Sequence, residues 1–249
     1  MRGLYVIWLR DVKRFVRARS RLIGSLGMPI FFMIFFSLGF RRANIPSLES
    51  LNYIDFLIPG IVSMVVLFTG TFSGVSVVWD RQFGFLREIM VSPVSRTTIA
   101  LGRIFSGATT AIFQATVMFL LGIALGFNFR IQMLPFFFLS LFLTALVFTG
   151  IGIAISTKMK DIHGFQIVVN FFVFPVFLLS GALFPISELP EILRSISKLN
   201  PLTYGVDAAR WASIGFCEID PLVDFSVLIL CSVLTTFLAS YLFNKTEVE

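Results

Sequence analysis

A single histidine, His163, and two cysteines, Cys217 and Cys231, are the chain's whole supply of imidazole and thiol. A His-rich metal site needs several such ligands clustered together, and a nucleophilic hydrolase needs an activated serine or cysteine beside a base. Neither set can be assembled here, and no G-x-S-x-G occurs. The cysteines form no spaced framework that reads as a disulfide scaffold or zinc site. The chain also lacks any Gly-Lys pair, so it has no phosphate-cradling G-x-x-x-x-G-K-S/T loop. No catalytic, cofactor-binding or metal-ligating residue is expected, and any nucleotide that powers this protein must sit on another chain.

Charge is the next place to look for chemistry. Of 249 residues 57% are hydrophobic and 14% charged, against about 25% charged in a soluble domain. The charges leave six uncharged windows: Leu22 to Phe40, Phe56 to Trp79, Ile104 to Phe129, Ile131 to Thr157, Ile162 to Ser187 and Phe225 to Asn244. About 20 apolar residues cross the hydrocarbon core as a helix. The expected fold is thus an all-α membrane protein with six transmembrane helices, the first a retained span rather than a cleaved signal.

Lys and Arg in the short loops orient the spans. With the amino terminus in the cytoplasm, 14 of them lie inside and 6 outside. Both termini are therefore predicted to be cytoplasmic, in a multi-pass protein of the cell membrane. The net charge of +6 is a topological signal, and no nucleic-acid partner is expected. The windows hold no Asp, Glu, Lys or Arg, which argues against an ion-coupled carrier, and no TVGYG filter suggests a channel. His163, beside the charged inner loop 158–161, reads as an interfacial residue.

Three segments outside the windows are amphipathic. Residues 1–21 put positions 4, 5, 8, 12, 15 and 16 on one helical face and read as a helix in the cytoplasmic interface. Residues 185–216 are too apolar for a free loop and too charged to span. They predict two short outer-side helices, Pro190 to Leu199 and Leu202 to Phe216, separated by Asn200-Pro201.

The third segment, 80–95, lies between the second and third spans. At 100° per residue, Phe83, Phe85, Leu86, Ile89 and Met90 share one side, while Asp80, Arg81, Gly84, Arg87 and Glu88 share the other. Pro93 stops the helix at Ser92. Spacing alone leaves two roles open: anchoring the loop in the interface, or docking a cytoplasmic partner.

At these residues the sequence resembles the type-2 ATP-binding-cassette (ABC) permeases, and within them the daunorubicin-resistance-like drug exporters. Asp80-Arg81-x-x-Gly84-x-Leu86-Arg87-Glu88, then Ser92-Pro93-Val94-Ser95-Arg96 and Gly102-Arg103, is similar to that family's first intracellular loop. Leu179-Ser180-Gly181-x-Leu183-Phe184-Pro185 through Leu199-Asn200-Pro201-Leu202-Thr203-Tyr204-Gly205-Val206-Asp207-Ala208-x-Arg210 is similar to its region between helices five and six. Tyr53-x-x-Phe56-Leu57-x-Pro59-Gly60 is a third match.

The resemblance implies a single permease domain over 1–249 that pairs with a second copy, each half resting on a separate ABC ATPase subunit that binds ATP and Mg. It makes 80–95 a coupling helix, with Asp80, Arg81, Gly84, Arg87, Glu88, Pro93 and Arg96 as the ATPase contact and Gly84 allowing close approach. It assigns Pro185, Asn200, Pro201, Tyr204, Asp207 and Arg210 to an outer gate. The expected cargo is a hydrophobic or amphiphilic drug or lipid-like molecule moving against membrane lipid. A lipid-linked polysaccharide exporter and a membrane assembly or scaffold protein are the alternatives.

Overall fold

A computed structural model describes residues 2–39, 52–85 and 94–245. All regular structure among them is helical: α1 (Arg2–Arg17), α2 (Arg19–Gly39), α3 (Tyr53–Phe72), α4 (Val75–Gln82), α5 (Arg96–Ala124), α6 (Leu134–Ser156), α7 (Ile162–Leu178), α8 (Glu191–Ser197), α9 (Pro201–Ile214) and α10 (Pro221–Asn244), with 3-10 turns at Ile131–Met133 and Ile186–Glu188. Four stretches are long and apolar enough to cross a membrane: Tyr53–Gln82, Arg96–Ala124, Ile131–Ser156 and Pro221–Asn244. Ile23–Gly39 and Ile162–Leu178 are apolar but shorter; the latter's 17 residues rise about 25 Å, under the roughly 30 Å of hydrocarbon.

α3 and α6 form the centre. α3 is apolar all round and buried along nearly its whole length, as a helix surrounded by other helices must be. It packs on α5, α6, α9 and α2, while α6 packs on α10, α3, α9 and α5. The α3–α4 unit and α6 touch backbone to backbone: a Cβ at Gly74 would collide with the Gly152 carbonyl, and one at Gly152 with that of Thr71. Small residues at a crossing allow this approach. α2, α7 and α10 lie outside, with Phe31, Phe35, Phe171, Leu222 and Phe237 among their exposed apolar side chains.

One polar tie crosses the apolar interior. Gln114 of α5 is fully buried; its amide donates to Ser25 Oγ of α2 and accepts from Thr69 Oγ1 of α3. In an apolar medium an unmatched amide is expensive, so this three-helix contact fixes the position of the first apolar helix.

The end of the bundle with α1, Asp80 and Lys245 is here called basal, the end with 181–220 distal. α1 docks along α5 rather than lying free: Ile7 packs with Ile99, Ala100, Ile104 and Phe243, and Trp8 Nε1 donates to Thr109 Oγ1 at 3.0 Å. The helix ends at Arg17, and α2 starts at Arg19. The expected apolar face is therefore rotated: Tyr5 and Val16 are exposed while Ile7 and Asp11 turn inward.

At the distal end, α9 packs on α6, α3 and α10, so it sits within the bundle. α8 instead exposes Ile192, Leu193 and Ile196, and Leu199 beside them.

Candidate functional site

The basal charges converge on Asp80. Arg103 of α5 donates to Asp80 Oδ2 at 2.6 Å, and both side chains are 1% exposed. Arg10 and Arg14 of α1 reach Asp80 Oδ1 at 3.3 and 3.2 Å while remaining half exposed to solvent. Asp11 adds a second acid, its oxygens without a hydrogen-bond donor among the described residues. Burial pushes the Asp11 carboxyl above its ordinary pKa, although Arg103, Arg10 and Arg14 pull the other way. Low dielectric makes such attractions strong and makes the loss of one partner severe. The cluster therefore welds α1, α4 and α5 together.

This placement corrects the expectation that Asp80 lies on the outward face of a helix over 80–92. α4 continues the second apolar span to Gln82, Phe83 caps it, and Gly84 then takes φ +78°. The 100° wheel cannot be carried through that turn, so Asp80 keeps the orientation of the span and points inward. No described atom lies within 4 Å of where a Gly84 Cβ would stand. Gly84 therefore supplies a left-handed turn, and close approach is not what it provides within the described chain.

Arg81 also faces the protein. Its guanidinium donates to the carbonyls of Met159 at 2.7 Å and Thr157 at 3.1 Å, groups left unpaired where α6 ends. It thereby joins the end of α4 to the loop between α6 and α7. Arg96 donates to the Asn244 carbonyl at 2.8 Å and caps α10 in the same way. Phe83 and Phe85 are exposed, and Phe83 stacks on Trp79 with ring centroids 4.8 Å apart. Arg87, Glu88 and Pro93 lie outside the described residues.

The distal residues meet around Arg210. Its Nε donates to the Phe56 carbonyl at 3.0 Å and its Nη2 to those of Gly181 and Ala182 at 2.8 Å each. The guanidinium carbon stands 3.5 Å from the Phe56 ring centroid, a cation–π contact in a buried site. Burial lowers the Arg210 pKa to about 10, against the supporting charges of Asp207 and Glu218. Tyr53 Oη donates to the Leu183 carbonyl at 3.1 Å, and a Cβ on Gly60 would strike Ala182. One arginine thus draws together all three distal stretches.

The other distal candidates brace this frame. Asp207 accepts the Glu218 and Ile219 backbone N–H groups, and Glu218 accepts those of Ile186 and Ser187, next to the buried Pro185. Asn200 caps α9 through the Leu202 N–H and donates to the Val176 carbonyl; Pro201 follows at the first helical position. Tyr204, half-buried, donates to the Lys198 carbonyl at 2.6 Å. Asn200, Asp207 and Arg210 are buried rather than lining an open passage.

The sequence reading missed Asp11, Asp224 and Gln114, and did not single out Arg103 among the charged residues of the basal end. Asp224 was lost at the edge of an apolar window that began at Phe225. The Asp220-Pro221 pair, an N-cap followed by proline, marks a helix start that brings Asp224 into its first turn.

The long apolar helices define an integral membrane scaffold. The ABC-2 type transporter family matches residues 2–214, and this chain belongs to that family. A transport permease, ycf38, of Cyanophora paradoxa is 32% identical over 215 residues, covering 84% of this chain and 73% of its own length. The inner membrane transport permease YadH of Escherichia coli strain K12 is 25% identical over 232 residues, 92% and 89% of the two chains. A multidrug ABC transporter permease of the same strain, YbhR, is 25% identical over 80% of this chain and 54% of its own. The protein is an integral membrane transport permease.

Proposed function

We propose that this chain is the permease subunit of an ATP-driven exporter, coupled to a separate ATPase subunit that carries ATP and Mg. In this reading the four long apolar stretches cross the bilayer and the two shorter apolar helices cross where the bilayer thins locally, with both termini and the basal end in the cytoplasm, and the cargo path forms between two copies. The observation that carries this reading is the Asp80 cluster together with Arg81. They tie α1, α4, α5 and the 157–161 loop to the root of the 80–96 loop, so a push on that loop moves several helices as one body. The exposed Phe83 and Phe85 and the charges of Arg87 and Glu88 are suited to meet the ATPase. Nucleotide then drives transport only if the two states of the permease pair differ in cargo affinity on the two sides.

A second copy has a reason to bind α7. Gln166 and Asn170 lie one turn apart on its exposed apolar side, beside Ile167 and Phe171. Amides facing lipid lack partners, and a two-fold neighbour supplies them. The cargo is a hydrophobic or amphiphilic drug or lipid-like molecule, a choice favoured by the multidrug relative; a lipid-linked polysaccharide is the second reading. Co-expression with the candidate ATPase followed by detergent purification tests the partnership. A stable complex supports it, whereas a partner without nucleotide chemistry indicates an assembly or scaffold role.

A further inference from the structure

The two sides of α1 are unlike. Ile7 and Trp8 hold the inner side to α5, and Asp11, the helix's one acidic residue, has both carboxyl oxygens buried. At 100° per residue the outer side divides in two. Tyr5, Leu9, Val12 and Val16 fall within about 60° of one another and form an apolar edge; Tyr5 and Val16 are more than half exposed. Lys13, Arg17, Arg10 and Arg14 occupy the adjoining sector of roughly 100°. Arg10 and Arg14 spend part of their hydrogen bonding on Asp80 and stay half exposed. Lys13 and Arg17 are exposed and meet no acidic side chain among the described residues.

An apolar edge running beside a cationic one fits the boundary of a membrane, where acyl chains and headgroup phosphates lie side by side. A soluble acidic partner would account for the cations and leave the apolar edge in water. The depth agrees as well. Asp80, which Arg10 and Arg14 reach, stands near the end of the span Tyr53–Gln82. Tyr5 and Trp8 have ring centroids 5.7 Å apart, and such aromatic side chains concentrate at headgroup level.

We propose that the outer side of α1 is a binding surface for anionic phospholipid headgroups. Lys13 and Arg17 make the headgroup contacts, with Arg14 beside them, while Tyr5, Leu9, Val12 and Val16 enter the acyl boundary. The unpaired positive charge selects anionic lipid over zwitterionic lipid, whose headgroup carries its own cation. Headgroup binding fixes α1, and through Arg10 and Arg14 it steadies the contact of α1 with Asp80. In the orientation proposed above this is the cytoplasmic leaflet; the preference for anionic lipid depends on neither that orientation nor an ATPase or cargo.

The test follows apparent Tm of the purified full chain in detergent mixed with phosphatidylcholine or phosphatidylglycerol. Wild type should gain roughly 2 °C or more from phosphatidylglycerol over phosphatidylcholine, and the gain should shrink from about 0.05 to about 0.5 M salt. The double variant Lys13→Gln/Arg17→Gln should lose most of the gain yet keep the wild-type Tm in phosphatidylcholine, because neither side chain has an acidic partner within the described chain. Each single variant should lose part of the gain, which keeps the test open if the pair does not fold. Lys13→Arg/Arg17→Lys preserves the charges and should preserve the gain. No gain in wild type, an undiminished gain in the glutamine variants, or an equal gain from inorganic phosphate in place of the lipid overturns the proposal. It also falls if the lipids act alike and the double glutamine variant instead loses a cytoplasmic protein partner.

Discussion

Arg103 and Asp80 form a buried ion pair of 2.6 Å between α5 and the end of the second apolar span. Each is the other's main compensation for leaving water. Removing one partner leaves an uncompensated charge, typically about 3–5 kcal/mol. Arg103→Ala and Asp80→Ala should each lower the apparent Tm by roughly 6 °C or more for a chain of this size. The double variant should lose clearly less than the sum of the two. Thermal unfolding of all four proteins measures this, and additive losses would mean that the pair is not coupled.

Arg81 predicts a local effect. Arg81→Ala removes the donors to Thr157 and Met159, at a cost of about 1–3 kcal/mol for the unpaired carbonyls. Hydrogen exchange should accelerate over 157–161 and the start of α7, with little change in α10. Arg81→Lys supplies one donor and should restore part of the protection.

Gln114 predicts a modest global effect. Membrane hydrogen bonds average about 0.6 kcal/mol, so Gln114→Leu should destabilise the protein by about 1 kcal/mol and free α2 at Ser25. Cleavage or cysteine labelling near Ser25 would register that release. Unchanged labelling would show that packing alone holds α2.

Asp11 predicts a dependence on pH. Its carboxyl is held above the ordinary carboxylate value chiefly by burial. The stabilisation from its protonated form is complete below about pH 4 and fades as pH rises through the raised value. Asp11→Asn mimics the neutral form, so it should raise apparent Tm at neutral pH by about 1–2 °C and reduce the slope in mild acid. A loss of stability at neutral pH would show that the Arg103 attraction outweighs the burial cost.

The apolar windows were legible because a membrane helix advertises itself by the absence of charge over 20 residues or so. The distal helices could be anticipated from Asn200-Pro201 and the spacing of Ile192, Leu193 and Ile196. What spacing could not reveal was which charge meets which. Asp80 and Arg103 lie 23 residues apart and Asp80 and Arg10 lie 70 apart, and a helical wheel assigns faces without assigning neighbours. Asp80 faces inward with the second span that carries it, and what separates it from the residues beyond is the φ of +78° at Gly84, a conformation that glycine permits but does not announce. Arg210 was named for the outer gate, yet its partners are backbone carbonyls of Phe56, Gly181 and Ala182, which no side-chain pattern encodes.

In the proposed mechanism the 80–96 loop transmits ATPase movement to the helices. The most direct measurement is the ATPase rate of the purified complex carrying wild-type permease or Glu88→Arg, compared with the ATPase subunit alone. Wild type should alter the rate severalfold, while the variant folds and assembles in the membrane but leaves the rate at that of the free subunit. If Glu88→Arg modulates the ATPase as wild type does, the segment around Glu88 serves as an interfacial anchor and the coupling assignment is wrong.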